Sequence, residues 1–151
     1  MRVAFGTDET TALTDAMQAH LTAAGHEVVL VAADHPWPEV GHAVGRAVAA
    51  GDVDCGVVCC WTGTGVSIAA NKVPGVRAAL CTDAETARGA RRWNDANVLA
   101  VGLRLTSATV AAELLDAFCG TGPDADEADA IGRVEAAGGR PDPSAQAGGA
   151  G

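Results

Sequence analysis

Cys60 stands where an apolar run meets a pair of glycines. Val57-Val58-Cys59-Cys60 is followed by Trp61-Thr62-Gly63-Thr64-Gly65, then by Val66-Ser67-Ile68-Ala69-Ala70-Asn71-Lys72. The run after the polar Asp52 and Asp54 reads as a strand covered on both faces. Gly63 and Gly65 let the backbone turn tightly and aim amide groups into one concavity, and Ser67 to Lys72 starts a helix. Amides gathered at a helix N-terminus bind anions. A thiol at the strand end beside them is poised to ionise. One stretch thus supplies a base or nucleophile and an oxyanion hole. The plainer reading is a small core hydrophobe at Cys60 and glycines that only turn the chain, since free cysteine is among the most buried residue types.

The elements that must position these groups follow from periodicity. Arg2–Gly6 reads as a first strand with a turn at Thr7-Asp8. A helix capped by Thr10 or Thr11 carries Leu13, Met17, Leu21 and Ala24, and Gly25 ends it. Glu27–Ala32 is the second strand, and Pro36-Trp37-Pro38 stiffens the loop after it. Glu39–Ala50 is helical, Asp54–Cys60 is the third strand, and Val76–Cys81 is the fourth. Thr82 or Asp83 caps a helix bearing Arg88, Arg91 and Arg92. Asn97–Val101 is the fifth strand, and Thr106 or Ser107 caps the helix through Phe118. This alternation predicts an α/β, Rossmann-like three-layer sandwich with a five-stranded parallel sheet in the order 2-1-3-4-5. Ligands bind such sheets at the carboxyl strand ends near the switch in strand order. That switch would bring Asp8 and Cys60 together, although Asp8 could equally be a helix cap.

A further C-terminal helix, Glu127–Ala137, has Ile131 and Val134 as its only large apolar residues, a face thin enough to need another subunit. Residues 1–137 are expected to form a single domain. Residues 138–151, rich in Gly, Ala and Pro, read as a disordered tail.

The 151 residues suit one domain with a real core, and the net charge of -9 argues against nucleic acid as a partner. No apolar run is long enough for a membrane span, and the N-terminus enters a strand pattern without a signal-peptide layout. The five cysteines are odd in number and lack zinc-type spacing, which fits a reduced, cytoplasmic protein. Adjacent Cys59 and Cys60 point to opposite faces of their strand. Cys55, Cys59, Cys81 and Cys119 read as core residues, and His20, His26, His35 and His42 as surface residues.

Three stretches together resemble the type B ribose-5-phosphate isomerase family, which includes the galactose-6-phosphate isomerase subunits. They are Ala4-Phe5-Gly6-Thr7-Asp8, the Cys60–Lys72 segment with its Cys-x-Thr-Gly-x-Gly-x-Ser-x-x-x-Asn-Lys pattern, and Asn94-Asp95-Ala96-Asn97-Val98-Leu99. The resemblance covers most of the chain up to about Ala137. It implies aldose–ketose isomerisation through an enediolate, without metal or other cofactor, at sites shared between the subunits of a homodimer or dimer of dimers. Cys60 matches the cysteine that moves the proton, Thr62 the threonine that assists ring opening, and Asp8 the aspartate near the substrate hydroxyls. Gly63 and Gly65 match part of the amide loop, with Ser67 in the same motif. Asn94 matches the asparagine given across the interface.

The departures from the family pattern concern the substrate. Glu9 stands where a histidine often meets phosphate, and Trp93 stands where a histidine opens the sugar ring. Asp129 falls on one phosphate-binding arginine if Arg133 is aligned with the other, and Trp61 replaces a glycine. Arg104 and Arg133 remain as anion ligands, or as solvated surface charges. Trp37, Trp61 and Trp93 are either core residues or an aromatic wall against the substrate. Three functions therefore stand beside one another. The first is an isomerase on a substrate altered from ribose 5-phosphate. The second is a non-catalytic or partner-dependent subunit, and the third an epimerase reusing Cys60 and the amide loop.

Overall fold

The computed structural model describes residues 1–137, so the tail expected over 138–151 lies outside the described residues. The strands are β1 (Arg2–Thr7), β2 (Glu27–Ala33), β3 (Cys55–Cys60), β4 (Ala78–Leu80) and β5 (Val98–Gly102). The helices are α1 (Ala12–Ala23), α2 (Trp37–Ala49), α3 (Thr64–Asn71), α4 (Ala84–Asn94), α5 (Ala108–Cys119) and α6 (Ala128–Ala137), the last entered through a single 3₁₀ turn. All strand pairings are parallel. The caps of α1, α4 and α5 are Thr11, Asp83 and Ser107, each accepting a backbone N–H three residues on.

The core is split by the sheet. On one face Val3, Phe5, Val57, Cys59, Leu99 and Val101 pack with Met17, Leu21, Leu114, Leu115 and Phe118 of α1 and α5 and with Ala87 and Ala90 of α4. On the other, Ala4, Val58, Cys60, Val98 and Ala100 meet Val40 and Val44 of α2 and Val66 and Ala70 of α3. Cys59 and Cys60 therefore do fall on opposite faces. The result is the expected three-layer α/β sandwich, its central strands buried on both sides.

The strand order is β2-β1-β3-β5-β4, which corrects the expected 2-1-3-4-5. Burial explains the exchange. Val98 to Val101 are fully buried, and this longer apolar strand occupies the interior beside β3. Three-residue β4 is only partly covered, ends in the exposed Leu80, and takes the edge. Asn71 holds that edge by donating to the Ala78 carbonyl and accepting the Ala78 N–H, both at 2.8 Å. The switch between β1 and β3 survives, because β1 still has β2 on one side and β3 on the other.

Two boundaries near the carboxyl strand ends also differ from expectation. Trp37 and Pro38 are not loop residues but form the first turn of α2, where proline's fixed φ suits a helix start. Helix α3 begins at Thr64 rather than Ser67, because Gly63 takes φ 76° and serves as its N-cap. Most side chains avoid that left-handed region, so the glycine sets where the helix starts.

Candidate active site

The site is built at the carboxyl ends of β1, β3 and β5. Thr7 pairs with Cys59, and Cys60 with Gly102, in the sheet register. Past the last pairs the ladder continues: the Asp8 N–H donates to the Cys59 carbonyl at 3.2 Å. The Leu103 and Arg104 N–H groups donate to the carbonyls of Cys60 and Trp61, each at 2.9 Å. Asp8 and the Cys60 loop are thus fixed side by side by backbone bonds, as the strand switch requires.

Gly63 is wedged against β5. A Cβ there would lie 2.8 Å from the Gly102 nitrogen and 2.9 Å from the Val101 carbonyl carbon. No side chain among the described residues caps α3, and amides at such a helix start can receive an anionic ligand. A Cβ at Gly65 would sit 2.9 Å from two carbons of the Trp37 ring, so the indole lies directly over the first turn of α3. Thr62 and Thr64 flank Gly63, and their hydroxyl oxygens lie 2.7 Å apart.

The thiols differ in surroundings. Cys59 is fully buried 4.0 Å from the Met17 sulfur, and burial, with the charges of Cys60 and Asp8 adding to it, pushes its thiol far up. Cys55 is driven up by the neighbouring Cys119 thiol and by burial, and burial lifts Cys81 to about 11. Cys60, 4% exposed, is the thiol at the base of the amide loop. Asp8 is half-buried, its Oδ1 shut off from solvent and without a hydrogen-bond partner among the described residues. Burial raises its pKa, a backbone hydrogen bond offsets part of the rise, and the neighbouring Glu9 adds to it.

Glu9 is exposed beside Asp8, and its backbone is held by the buried Thr7 hydroxyl, which donates to the Glu9 carbonyl at 2.7 Å. Thr10 ties this turn to the next loop, its N–H and hydroxyl donating to the two Asp34 carboxylate oxygens at 2.7 and 2.9 Å. Those bonds pull the Asp34 carboxyl below the usual range. Trp61, Thr62 and Arg104 are exposed on the loops just past β3 and β5, and Ser67 is half-buried within α3. Sequence reading missed the structural parts of Thr7 and Thr64. Both are hydroxyl residues within two positions of a site residue, and that spacing is the signal that marks them.

The other expected site residues lie elsewhere in the chain. Trp93 and Asn94 end α4, and Asp129 and Arg133 are exposed on α6. In a parallel sheet flanked by crossover helices, the helix ends return to the amino edge, opposite Cys60. There a cavity of about 660 Å³ is lined by Trp93, Asn94, Lys72, Arg77, Ile131 and Val134, among others. On the thin apolar face of α6, Ile131 is half-buried and Val134 is 60% exposed, and Glu135 pairs with Arg77, which also holds Asp95 at 2.9 Å. Trp93 lies across Gly89 with the Arg92 guanidinium 5.9 Å from its ring centroid. Among the described residues no cluster of three His, Cys, Asp or Glu side chains is placed to hold a metal, and no helix is long and apolar enough to cross a membrane.

Comparison with known proteins matches residues 3–136 to a family described as ribose/galactose isomerase. Ribose-5-phosphate isomerase B of Escherichia coli is 39% identical over 124 residues, 79% of this chain and 83% of that protein. A 4-deoxy-4-sulfo-D-erythrose isomerase of a Clostridium species is 30% identical over 128 residues, 81% of this chain and 80% of its own. The structure of the type B ribose 5-phosphate isomerase from Trypanosoma cruzi superposes with a TM-score of 0.86 at 36% identity, covering 91% of this chain and 98% of that one.

Proposed function

The chain belongs to the ribose/galactose isomerase family, and on that premise we propose that it interconverts an aldose and a ketose by proton transfer between C1 and C2, with Cys60 as the base. It is a sugar or sugar-phosphate isomerase of the intramolecular oxidoreductase kind. The observation that carries the finer reading is the join of Cys60 to an uncapped helix start. Removing a proton beside a carbonyl turns that carbonyl into an oxyanion. The amides after Gly63, at a helix start without a side-chain cap among the described residues, are the groups proposed to receive this charge. Thr62 reaches the substrate oxygens from the same loop. Asp8, fixed to β3 through the Cys59 carbonyl, binds substrate hydroxyls. Glu9, Trp61, Ser67 and Arg104 contact the rest of the substrate. Trp37 roofs the first turn of α3 and limits water there. No step calls for a metal or cofactor.

Asn94 and Trp93, at the end of α4, and Arg133, on α6, are proposed to reach such a site from a second chain. The proposed assembly is therefore a homodimer or dimer of dimers. The free thiols support a cytoplasmic setting.

The proposed substrate differs from ribose 5-phosphate. Glu9 places a carboxylate beside Asp8, where a dianionic phosphate would meet like charge at about 1 kcal/mol per contact at 4 Å in water. Trp93 offers an indole N–H that does not transfer protons, so ring opening has no acid at that position. A four-carbon aldose substituted at C4 removes the ring-opening difficulty, and a sulfonate as the substituent lessens the charge difficulty. It has no C4 hydroxyl to close a five-membered ring, and a sulfonate there carries a single charge. One relative of this chain is named for such a substrate. The test is solvent deuterium incorporation and steady-state kinetics on ribose 5-phosphate and on C4-phosphorylated and C4-sulfonated tetroses. The parent is run beside the double change Glu9→His, Trp93→His. The expected result is turnover of a tetrose by the parent and of ribose 5-phosphate only after the double change. Robust ribose 5-phosphate isomerisation by the parent overturns the substrate reading.

A further inference from the structure

Thr62 has a fixed backbone and an exposed hydroxyl. Its carbonyl is packed against Gly102, where an added Cβ would lie 2.7 Å from the Thr62 oxygen. The residues before it are tied to β5 by the bonds from Leu103 and Arg104. None of these contacts sets the side-chain rotor. Its one hydrogen-bond partner among the described residues is the Thr64 hydroxyl, 2.7 Å away across Gly63.

That short bridge depends on local geometry. Gly63 at φ 76° reverses the chain between the two threonines and brings side chains two residues apart onto one side. In an extended segment, residues two apart share a face but stand well separated. Here the reversal closes the gap to hydrogen-bond distance. Thr64 is also the first residue of α3, so both oxygens sit at the positive end of the helix beside its unfilled amides.

Resting on the reading of Cys60 and Thr62 as the proton-transfer site, we propose that Thr64 is a positioning residue that donates its hydroxyl proton to Thr62 and so turns the Thr62 proton toward the substrate oxygen. The direction follows from charge. The substrate oxygen becomes negative in the enediolate, so every group aimed at it must donate. Each hydroxyl has one proton, so within the bonded pair the Thr62 proton is left for the substrate only when Thr64 is the donor of their shared bond. A hydroxyl that accepts one hydrogen bond also becomes a stronger donor in the next. Thr64 itself touches no reacting atom in this arrangement. No bond is made or broken by the pair, and no proton leaves it.

The experiment uses the full chain and two variants. Thr64→Val keeps the shape and removes the hydroxyl, and Thr64→Ser keeps the hydroxyl. The first readout is the Thr62 χ1 rotamer, from side-chain three-bond couplings in solution without substrate. A single rotamer is expected in the parent and in Thr64→Ser, and an averaged one in Thr64→Val. The second is turnover by deuterium incorporation into ribose 5-phosphate and into C4-phosphorylated and C4-sulfonated tetroses. Thr64→Val is expected to lower kcat about tenfold with KM changed less than twofold, and Thr64→Ser to restore it. A Thr62 rotamer already averaged in the parent, or unchanged in Thr64→Val, overturns the proposal whatever the turnover. So does a parent-like kcat in Thr64→Val. A locked Thr62 that Thr64→Val releases, in a parent that turns over none of these sugars, supports the positioning by Thr64 and overturns the isomerase site it was built upon.

Discussion

Replacing Gly63 by alanine tests whether the wedge at the base of the amide loop is as tight as its geometry indicates. The residue sits at φ 76°, where a side chain costs about 1–2 kcal/mol. The new Cβ would also lie 2.5 Å from a Leu80 methyl, 2.8 Å from the Gly102 nitrogen and 2.9 Å from the Val101 carbonyl carbon. Leu80 is at a sheet edge and its methyl can rotate away. The other two atoms are backbone of β5, the strand next to β3, and cannot. Forcing a methyl into such a place adds about 1–3 kcal/mol. Together the loss is roughly 2–5 kcal/mol, and at about 3 °C per kcal/mol for a chain of this size Tm falls by roughly 6–15 °C. Gly75→Ala separates the two contributions. Gly75 has φ 83° but nothing among the described residues within 4 Å of its would-be Cβ, so only the backbone cost remains, roughly 3–6 °C. The assay is thermal unfolding followed by circular dichroism, with urea unfolding as a second measure of the free-energy difference. If Gly63→Ala loses no more than Gly75→Ala, the close packing of the loop on β5 is refuted.

Cys60→Ser is expected to lower turnover by about two to four orders of magnitude while the fold persists. Cys59→Ser places a hydroxyl in the fully buried face beside Met17 and should lower Tm with far less effect on kcat. Unchanged turnover in Cys60→Ser removes the thiol from the mechanism. Asp8→Asn addresses the raised carboxyl. The folded chain holds that proton more tightly than the unfolded one, so the parent's advantage is complete below the unfolded pKa and is lost as pH rises through the folded value. Urea unfolding across that window should show the parent losing stability relative to Asp8→Asn as pH increases, and the opposite slope contradicts the burial argument. Sedimentation is expected to show a dimer or tetramer at micromolar concentration. A lone 15.0 kDa species contradicts the shared site.

Much of this arrangement is determined locally and is legible in the residues. Alternating apolar runs and 3.6-residue stripes marked every strand and helix, because burial on one or both faces leaves its period in the sequence. The thiol at the end of β3, the glycines after it and the opposite facing of Cys59 and Cys60 follow from backbone geometry alone. Even the meeting of Asp8 with the Cys60 loop followed from the β1–β3 switch.

What the tertiary structure decided is how distant parts compete for the same space. Val98–Val101 displaced the fourth strand from the interior because fully buried valine and leucine gain more there than Ala78–Leu80 would. That comparison involves both strands and their neighbours, so neither segment carries it alone. Gly63, whose left-handed φ starts α3 at Thr64, also packs against Gly102, which lies 39 residues further along the chain. Trp37 became a helix residue roofing Gly65, while Trp93 and Asn94 fell at the end of α4 and Arg133 on α6, outside the β1, β3 and β5 ends that hold Cys60. The hydroxyl pair of Thr62 and Thr64 spans the chain reversal at this Gly63. Periodicity records which face of an element is buried. It does not record which other element covers that face, and the reach of a side chain to its partner is fixed only after packing has made that choice.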